Sequence, residues 1–208
     1  MDFRSDALSP LARAVSVLIV VLTAAALVAQ FLVTLQAHPE DRLLDVFWRM
    51  ARYFTILTNV LVLGSFLAMN MLRRALGRVW MGGLTVWIVL TGVVYHVLLA
   101  EPATGIPMLA DQGLHTVTPL LVLAFWCVLT PKSRMRYRAA FAWLIWPALY
   151  AGYAFWRGTL DGHYPYFFLD PTADGWDGVC VWLGLMALTF LLSGFVVVWL
   201  GRLFSRER

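Results

Sequence analysis

Six runs of about 20 mostly apolar residues, at roughly 11–36, 50–72, 79–100, 112–130, 139–157 and 177–201, make up most of this chain. As a helix, a run of that length crosses about 30 Å of hydrocarbon. Inside hydrocarbon each backbone N–H and C=O must be paired within the protein, which leaves helices or a closed barrel, and runs this long and continuously apolar read as helices. The expected fold is therefore all-α: a polytopic membrane protein, a six transmembrane helix bundle forming a single domain over residues 1–208. Composition agrees, because 61% of the residues are hydrophobic and 13% charged, against about 25% charged in a soluble domain. No polar stretch is long enough for a separate soluble domain, and the first run is too long for a signal-peptide core, so it is expected to remain as the first helix.

An even number of spans puts both termini on one side, and the basic residues indicate which. Arg4 and Arg13, Arg73, Arg74 and Arg78, Lys132, Arg134, Arg136 and Arg138, and Arg202, Arg206 and Arg208 share one face, 12 of the 16 basic residues. Only Arg42, Arg49, Arg52 and Arg157 fall on the other. Basic residues in short loops mark the cytoplasmic side, so both termini are expected there. These charges flank helix ends, where anionic lipid headgroups account for them, and nucleic acid is not an expected partner. A single Lys among 16 basic residues suggests a GC-rich genome and hence a bacterial inner (plasma) membrane. Cys127 and Cys180 fall near opposite membrane faces, which excludes a disulfide between them. Neither has a second Cys or a His at ligand spacing, so both are expected to be packing residues, with no metal and no cofactor.

Polar side chains are expensive in hydrocarbon and tend to mark function. Here they converge: Thr55, Thr58 and Asn59 in the second run, His96 in the third, and His115, Thr116 and Thr118 in the fourth fall at one expected depth. Residues three and four apart share a helical face, so Arg52, Thr55, Thr58 and Asn59 can line one stripe. His115 is expected about one turn into the fourth helix, with Asp111 four residues earlier on the same face, able to orient an imidazole. A membrane Thr often bonds back to its own helix, and a His beside an Asp can be purely structural. Small residues such as Gly64 and Gly92 allow helices to approach closely, and Pro119 and Pro147 should bend theirs. The aromatic run in the loop 158–176, from His163 through Tyr164, Tyr166, Phe167 and Phe168, reads as an interfacial belt or as a lid admitting an amphiphile.

The strings Tyr53-Phe54-Thr55 and Gly113-Leu114-His115-Thr116-Val117-Thr118-Pro119 resemble the androgen-induced/ADTRP family of transmembrane threonine hydrolases. The longer Tyr-Phe-Thr-Ile-Leu-Thr-Asn string and the late Tyr-Pro-Tyr-Phe-Phe-Leu-Asp-Pro loop are similar to uncharacterised bacterial six-helix relatives. The resemblance implies Thr55 as nucleophile, His115 as general base and a substrate of the type fatty acid ester of a hydroxy fatty acid, an amphiphilic lipid ester drawn from membrane lipids. Thr58, a second hydroxyl one turn deeper, leaves the choice of nucleophile open, although Tyr53 favours Thr55. By position, Asn59 and His96 are candidate oxyanion donors and Arg52 a candidate for a fatty carboxylate. Two other functions fit the same polar residues. His96 and His115 on adjacent helices can ligate a non-covalent haem for electron transfer, and polar residues at depth also line transport or lipid-binding sites.

Overall fold

The computed structural model describes residues 7–132 and 134–205, with the side chains of Ala173 and Asp174 excepted. Arg4, Arg206 and Arg208, counted above on the cytoplasmic face, lie outside the described residues. The chain is helical: α1 Pro10–Ala37, α2 Leu43–Met50, α3 Phe54–Leu72, α4 Arg78–Val94 continued by a wide π turn Tyr95–Leu99, α5 Gly105–Gln112, a second π turn Gly113–Val117, α6 Thr118–Leu129, α7 Arg138–Ala142, α8 Ile145–Asp161 and α9 Pro171–Leu203. Among the described residues, five helical stretches are long and apolar enough to cross a membrane: Pro10–Ala37, Phe54–Leu72, Arg78–Leu99, Gly105–Leu129 and Gly175–Leu203.

Burial shows what solvent these helices are built for. Along α1 the buried positions include Ser16 and Thr23, whereas Leu11, Val17, Leu18, Val21, Val28 and Leu32 are exposed. A soluble helix shows the reverse, polar residues outward and apolar ones inward. An apolar exterior with hydroxyls at the helix contacts is the pattern of a membrane protein, where small and polar residues hold helices together. Ser16 donates to Asn70 Oδ1 at 3.1 Å, and Thr23 meets Thr118 hydroxyl to hydroxyl at 3.2 Å, both across helices.

Helix ends follow local chemistry. Ser9 caps α1, accepting from the Ala12 N–H at 3.1 Å with Pro10 in the first turn. Asp170 caps α9, accepting from the Thr172 N–H at 2.8 Å ahead of Pro171. Each proline falls where its missing N–H would be unpaired in any case.

Several expected boundaries move. The run at 50–72 begins as a helix only at Phe54, after the separate short helix α2, so Arg52 and Tyr53 stand in the turn before α3. The run at 112–130 begins at Gly105, which puts His115 well inside a helical stretch rather than one turn from its start. The run at 139–157 is divided at Trp143 and Leu144 into α7 and the 17-residue α8. Pro147 explains the break, because the N–H it lacks is the one that would close on the Trp143 carbonyl. Cys127 and Cys180 are both free and exposed, not packed inside as expected, since each lies on an outward helix face.

The chain forms two compact units. One holds α1 and α2 together with Thr55 through Pro131, and the other holds Arg52–Phe54 together with α7, α8 and α9. In the first, Ala26, Val46, Met50, Ile56 and Leu114 form a buried apolar cluster directly beside the polar residues described next.

Candidate functional site

Thr55 is the second residue of α3 and is half-buried. Thr34, Thr85, Thr91 and Thr189 each donate to the carbonyl four residues earlier in their own helix, at 2.8–2.9 Å. That is the ordinary fate of a threonine hydroxyl in an apolar helix. Thr55 instead places its Oγ1 3.2 Å from His115 Nε2.

His115 reaches this position because of Pro119. A proline four residues on cannot donate to the His115 carbonyl, and the helix accommodates by widening into the π turn Gly113–Val117, closed by the Thr118 N–H on the Gly113 carbonyl. The released carbonyl of His115 faces the bare Cα of Gly92, where a Cβ would stand 2.5 Å from the oxygen and 3.2 Å from Pro119 Cγ. Gly92 is therefore required by close approach, and Gly113 similarly abuts Ala26.

The tautomer of His115 follows from its neighbours. Nδ1 lies 3.1 Å from the main-chain oxygen of Asp111, which can only accept. Nδ1 must then carry a hydrogen, and in the neutral ring Nε2 is left as an acceptor facing the Thr55 hydroxyl. The Asp111 carboxylate, expected to orient the ring, is 3.9 Å from Nδ1 and beyond hydrogen-bonding distance. The orienting acceptor belongs to the same residue but is its backbone carbonyl.

Asn59 is fully buried and acts as a clamp. Its Nδ2 donates to the Thr55 carbonyl at 2.9 Å and to the Leu114 carbonyl at 3.3 Å, tying the turn that bears the hydroxyl to the turn that bears the imidazole. Those two carbonyls decide the orientation of the amide, and Oδ1 is left buried without a partner. With both N–H groups engaged, Asn59 has no hydrogen left for an oxyanion. Asn59→Asp should be more damaging than Asn59→Leu, because a carboxylate would face two carbonyl oxygens in a dry interior, while Leu forfeits about 1–3 kcal/mol of pairing. Thermal unfolding of the two purified variants in detergent checks that order.

Thr58 is fully buried one turn deeper. His96 is exposed, with its Nε2 2.9 Å from Thr116 Oγ1. Tyr95 stacks on the His115 ring, centroids 3.6 Å apart and planes 8° from parallel. The structure thus brings Thr55, Asn59, Asp111 and His115 into one connected set, with His96 and Thr116 joined beside it on the same pair of π turns.

Arg52 belongs to the other unit. Its guanidinium pairs in a fork with Asp161, at 3.0 Å on one arm, and also donates to the His163 carbonyl. The Tyr150 hydroxyl donates to the Arg52 carbonyl at 2.9 Å. Around it the loop after α8 is packed: the Tyr164 ring covers Gly158, and Tyr166 stacks on Phe168 and meets Tyr53 edge-on. Hydrogen bonding from Arg52 holds the Asp161 carboxyl well below the usual carboxylate range, against partial desolvation and with help from the His163 N–H. A carboxyl with a depressed native pKa stabilises the fold fully above its unfolded value, near pH 4, and loses that contribution as pH falls through the native value. Asp161→Asn should therefore lower the melting temperature at neutral pH and flatten its decline below about pH 4, which a melting series from pH 7 to 3 would read.

Sequence reasoning did not single out Asp161, the stacking role of Tyr95 or the contact at Gly92. Asp161 lies 109 positions from Arg52 and no local spacing links them. The proline four residues after His115 was the one available signal for the wide turn. No family model matches the chain, and neither do any curated protein or solved structure.

Proposed function

We propose that this protein is an intramembrane lipid-ester hydrolase with a threonine nucleophile, of six spans with both termini cytoplasmic, resident in a bacterial plasma membrane. The observation that carries the reading is the Thr55–His115 pair, in which the imidazole nitrogen facing the hydroxyl is the one free to accept its proton. The motif resemblance around Thr55 and His115 supports the same assignment, and the even count requires the 17-residue α8 to cross as a sixth span beside the five longer stretches.

A threonine hydroxyl is a weak nucleophile near neutral pH until a base takes its proton. As Thr55 Oγ1 attacks the ester carbonyl, His115 Nε2 takes the hydroxyl proton, and the imidazolium that forms keeps its Nδ1–H on the Asp111 carbonyl. Collapse of the tetrahedral adduct breaks the ester C–O bond, and His115 returns the proton to the departing alkoxide, which leaves as the hydroxy-acid product. Water then attacks the acyl-threonine with His115 again as base, and the fatty acid departs as Thr55 recovers its proton. Because the Asn59 hydrogens are engaged, the remaining candidate donors for the oxyanion are His96 and Thr116, whose hydrogen bond to each other leaves one hydrogen to give.

The test is to label detergent-purified protein with a fluorophosphonate probe and locate the adduct by mass spectrometry. An adduct on Thr55 is the expected result. A folded protein that acquires no adduct, or acquires it on Thr58, overturns the assignment.

A further inference from the structure

Apart from the Thr55 contact that it must make and release during reaction, the His115 imidazole is held by one hydrogen bond, which does not fix its plane. The Nδ1–H of His115 on the Asp111 carbonyl at 3.1 Å anchors one edge, and the torsion between Cβ and the ring is soft. Rotation about it would carry Nε2 away from Thr55. The face of the ring is covered by Tyr95 at 3.6 Å and 8° from parallel. At that spacing any twist drives an imidazole edge into the phenol. For comparison, the stacked pair Tyr166 and Phe168 stands 5.0 Å apart. The imidazole is thus held at one edge by the Asp111 main-chain oxygen and across its face by Tyr95.

The register that produces this stack is set twice. Tyr95 and His96 open the first π turn, and His115 and Thr116 lie in the second. Tyr95 meets His115 while His96 meets Thr116 at 2.9 Å, so two consecutive residues on one helix engage two consecutive residues on the other.

We infer that Tyr95 is the positioning residue of the base: its ring, through face-to-face contact, holds the His115 imidazole in the plane that aims Nε2 at Thr55. The inference rests on the hydrolase reading for its catalytic meaning, but the geometry it asserts can be measured without catalysis. An electron-rich ring against the imidazole also favours the cationic form that arises when the Thr55 proton is taken.

The experiment compares wild type, Tyr95→Phe and Tyr95→Leu, each labelled with ¹³C,¹⁵N-histidine in detergent micelles, with His115 resonances assigned by their loss in His115→Ala. In wild type and Tyr95→Phe the His115 ring protons should be displaced upfield by the stacked ring, with separate protonated Nδ1 and unprotonated Nε2 signals. In Tyr95→Leu the upfield displacement should vanish and the two nitrogens should average. The fluorophosphonate labelling rate should fall at least about tenfold in Tyr95→Leu and stay within about threefold of wild type in Tyr95→Phe. A Tyr95→Leu protein with unchanged nitrogen signals or an unchanged labelling rate overturns the inference, and so does a Tyr95→Phe protein as impaired as Tyr95→Leu. If wild type takes no label while the nitrogen signals respond as stated, the hydrolase reading fails and the positioning of the ring stands.

Discussion

Thr55→Ala and His115→Ala should each abolish measurable fluorophosphonate labelling and ester hydrolysis, a loss of about four orders of magnitude or more, while leaving the protein folded. The size follows from roles that are exercised together. Without the hydroxyl there is nothing to acylate, and without Nε2 the hydroxyl keeps its proton. Residues that act as one unit lose activity non-additively, so the double variant should be no worse than either single one. Thr55→Ser, which keeps the oxygen, should retain labelling, and Thr58→Ala should leave the adduct on Thr55. Thr55→Ala should move stability little, because one neutral hydrogen bond contributes about 1 kcal/mol, whereas His115→Ala also loses the Asp111 bond and the Tyr95 stack and should melt lower. Melting curves beside the labelling assay separate lost chemistry from lost folding. Full labelling of Thr55→Ala would exclude this residue as the nucleophile.

Gly92→Ala should reduce activity by about a hundredfold even though position 92 touches no part of the Thr55–His115 hydrogen bond. A Cβ there stands 2.5 Å from the His115 carbonyl oxygen and 3.2 Å from Pro119 Cγ, so something must shift. The obstacle is backbone in a widened turn, next to a proline ring, and neither can swing aside as a long side chain would. The His115 backbone is displaced instead, and a misplacement of about 1 Å in a reacting group costs about 10² in rate. Overpacking at such a contact also costs about 1–3 kcal/mol. Gly64→Ala is the matched control: that glycine lies within α3 with nothing inside 4 Å of its added Cβ. There alanine should be neutral, or stabilising by up to about 1 kcal/mol through helix propensity. Labelling rate and melting temperature for the pair give the answer, and equal behaviour of the two variants would show that the Gly92 contact does not position His115.

The two glycines illustrate how far local reading extends. Both qualify as small residues that permit close helix approach, yet only Gly92 has a carbonyl against it. Which helix face meets which neighbour is not encoded in the spacing of small residues.

Composition and period determined the helical membrane character of this chain, because hydrocarbon leaves an apolar run of 20 residues no other way to pair its backbone. Residue type also pointed to the candidate chemistry, because hydroxyls and imidazoles at depth are expensive unless they serve a purpose; it offered Thr55, Thr58, Asn59, His96 and His115 together, and the motif resemblance favoured Thr55 and His115 among them. Tertiary structure decided the rest. It separated Thr55 from threonines that bond back to their own helices, because its hydroxyl meets His115, 60 positions away in sequence. It replaced the Asp111 carboxylate by the Asp111 carbonyl as the acceptor that orients the ring, the carbonyl lying 3.1 Å from Nδ1 and the carboxylate 3.9 Å. It also engaged Arg52 with Asp161. Hydrophobic period reports which residues prefer to leave water, whereas hydrogen-bond partners depend on distances of a few tenths of an ångström between segments remote in sequence, and only the folded chain sets those.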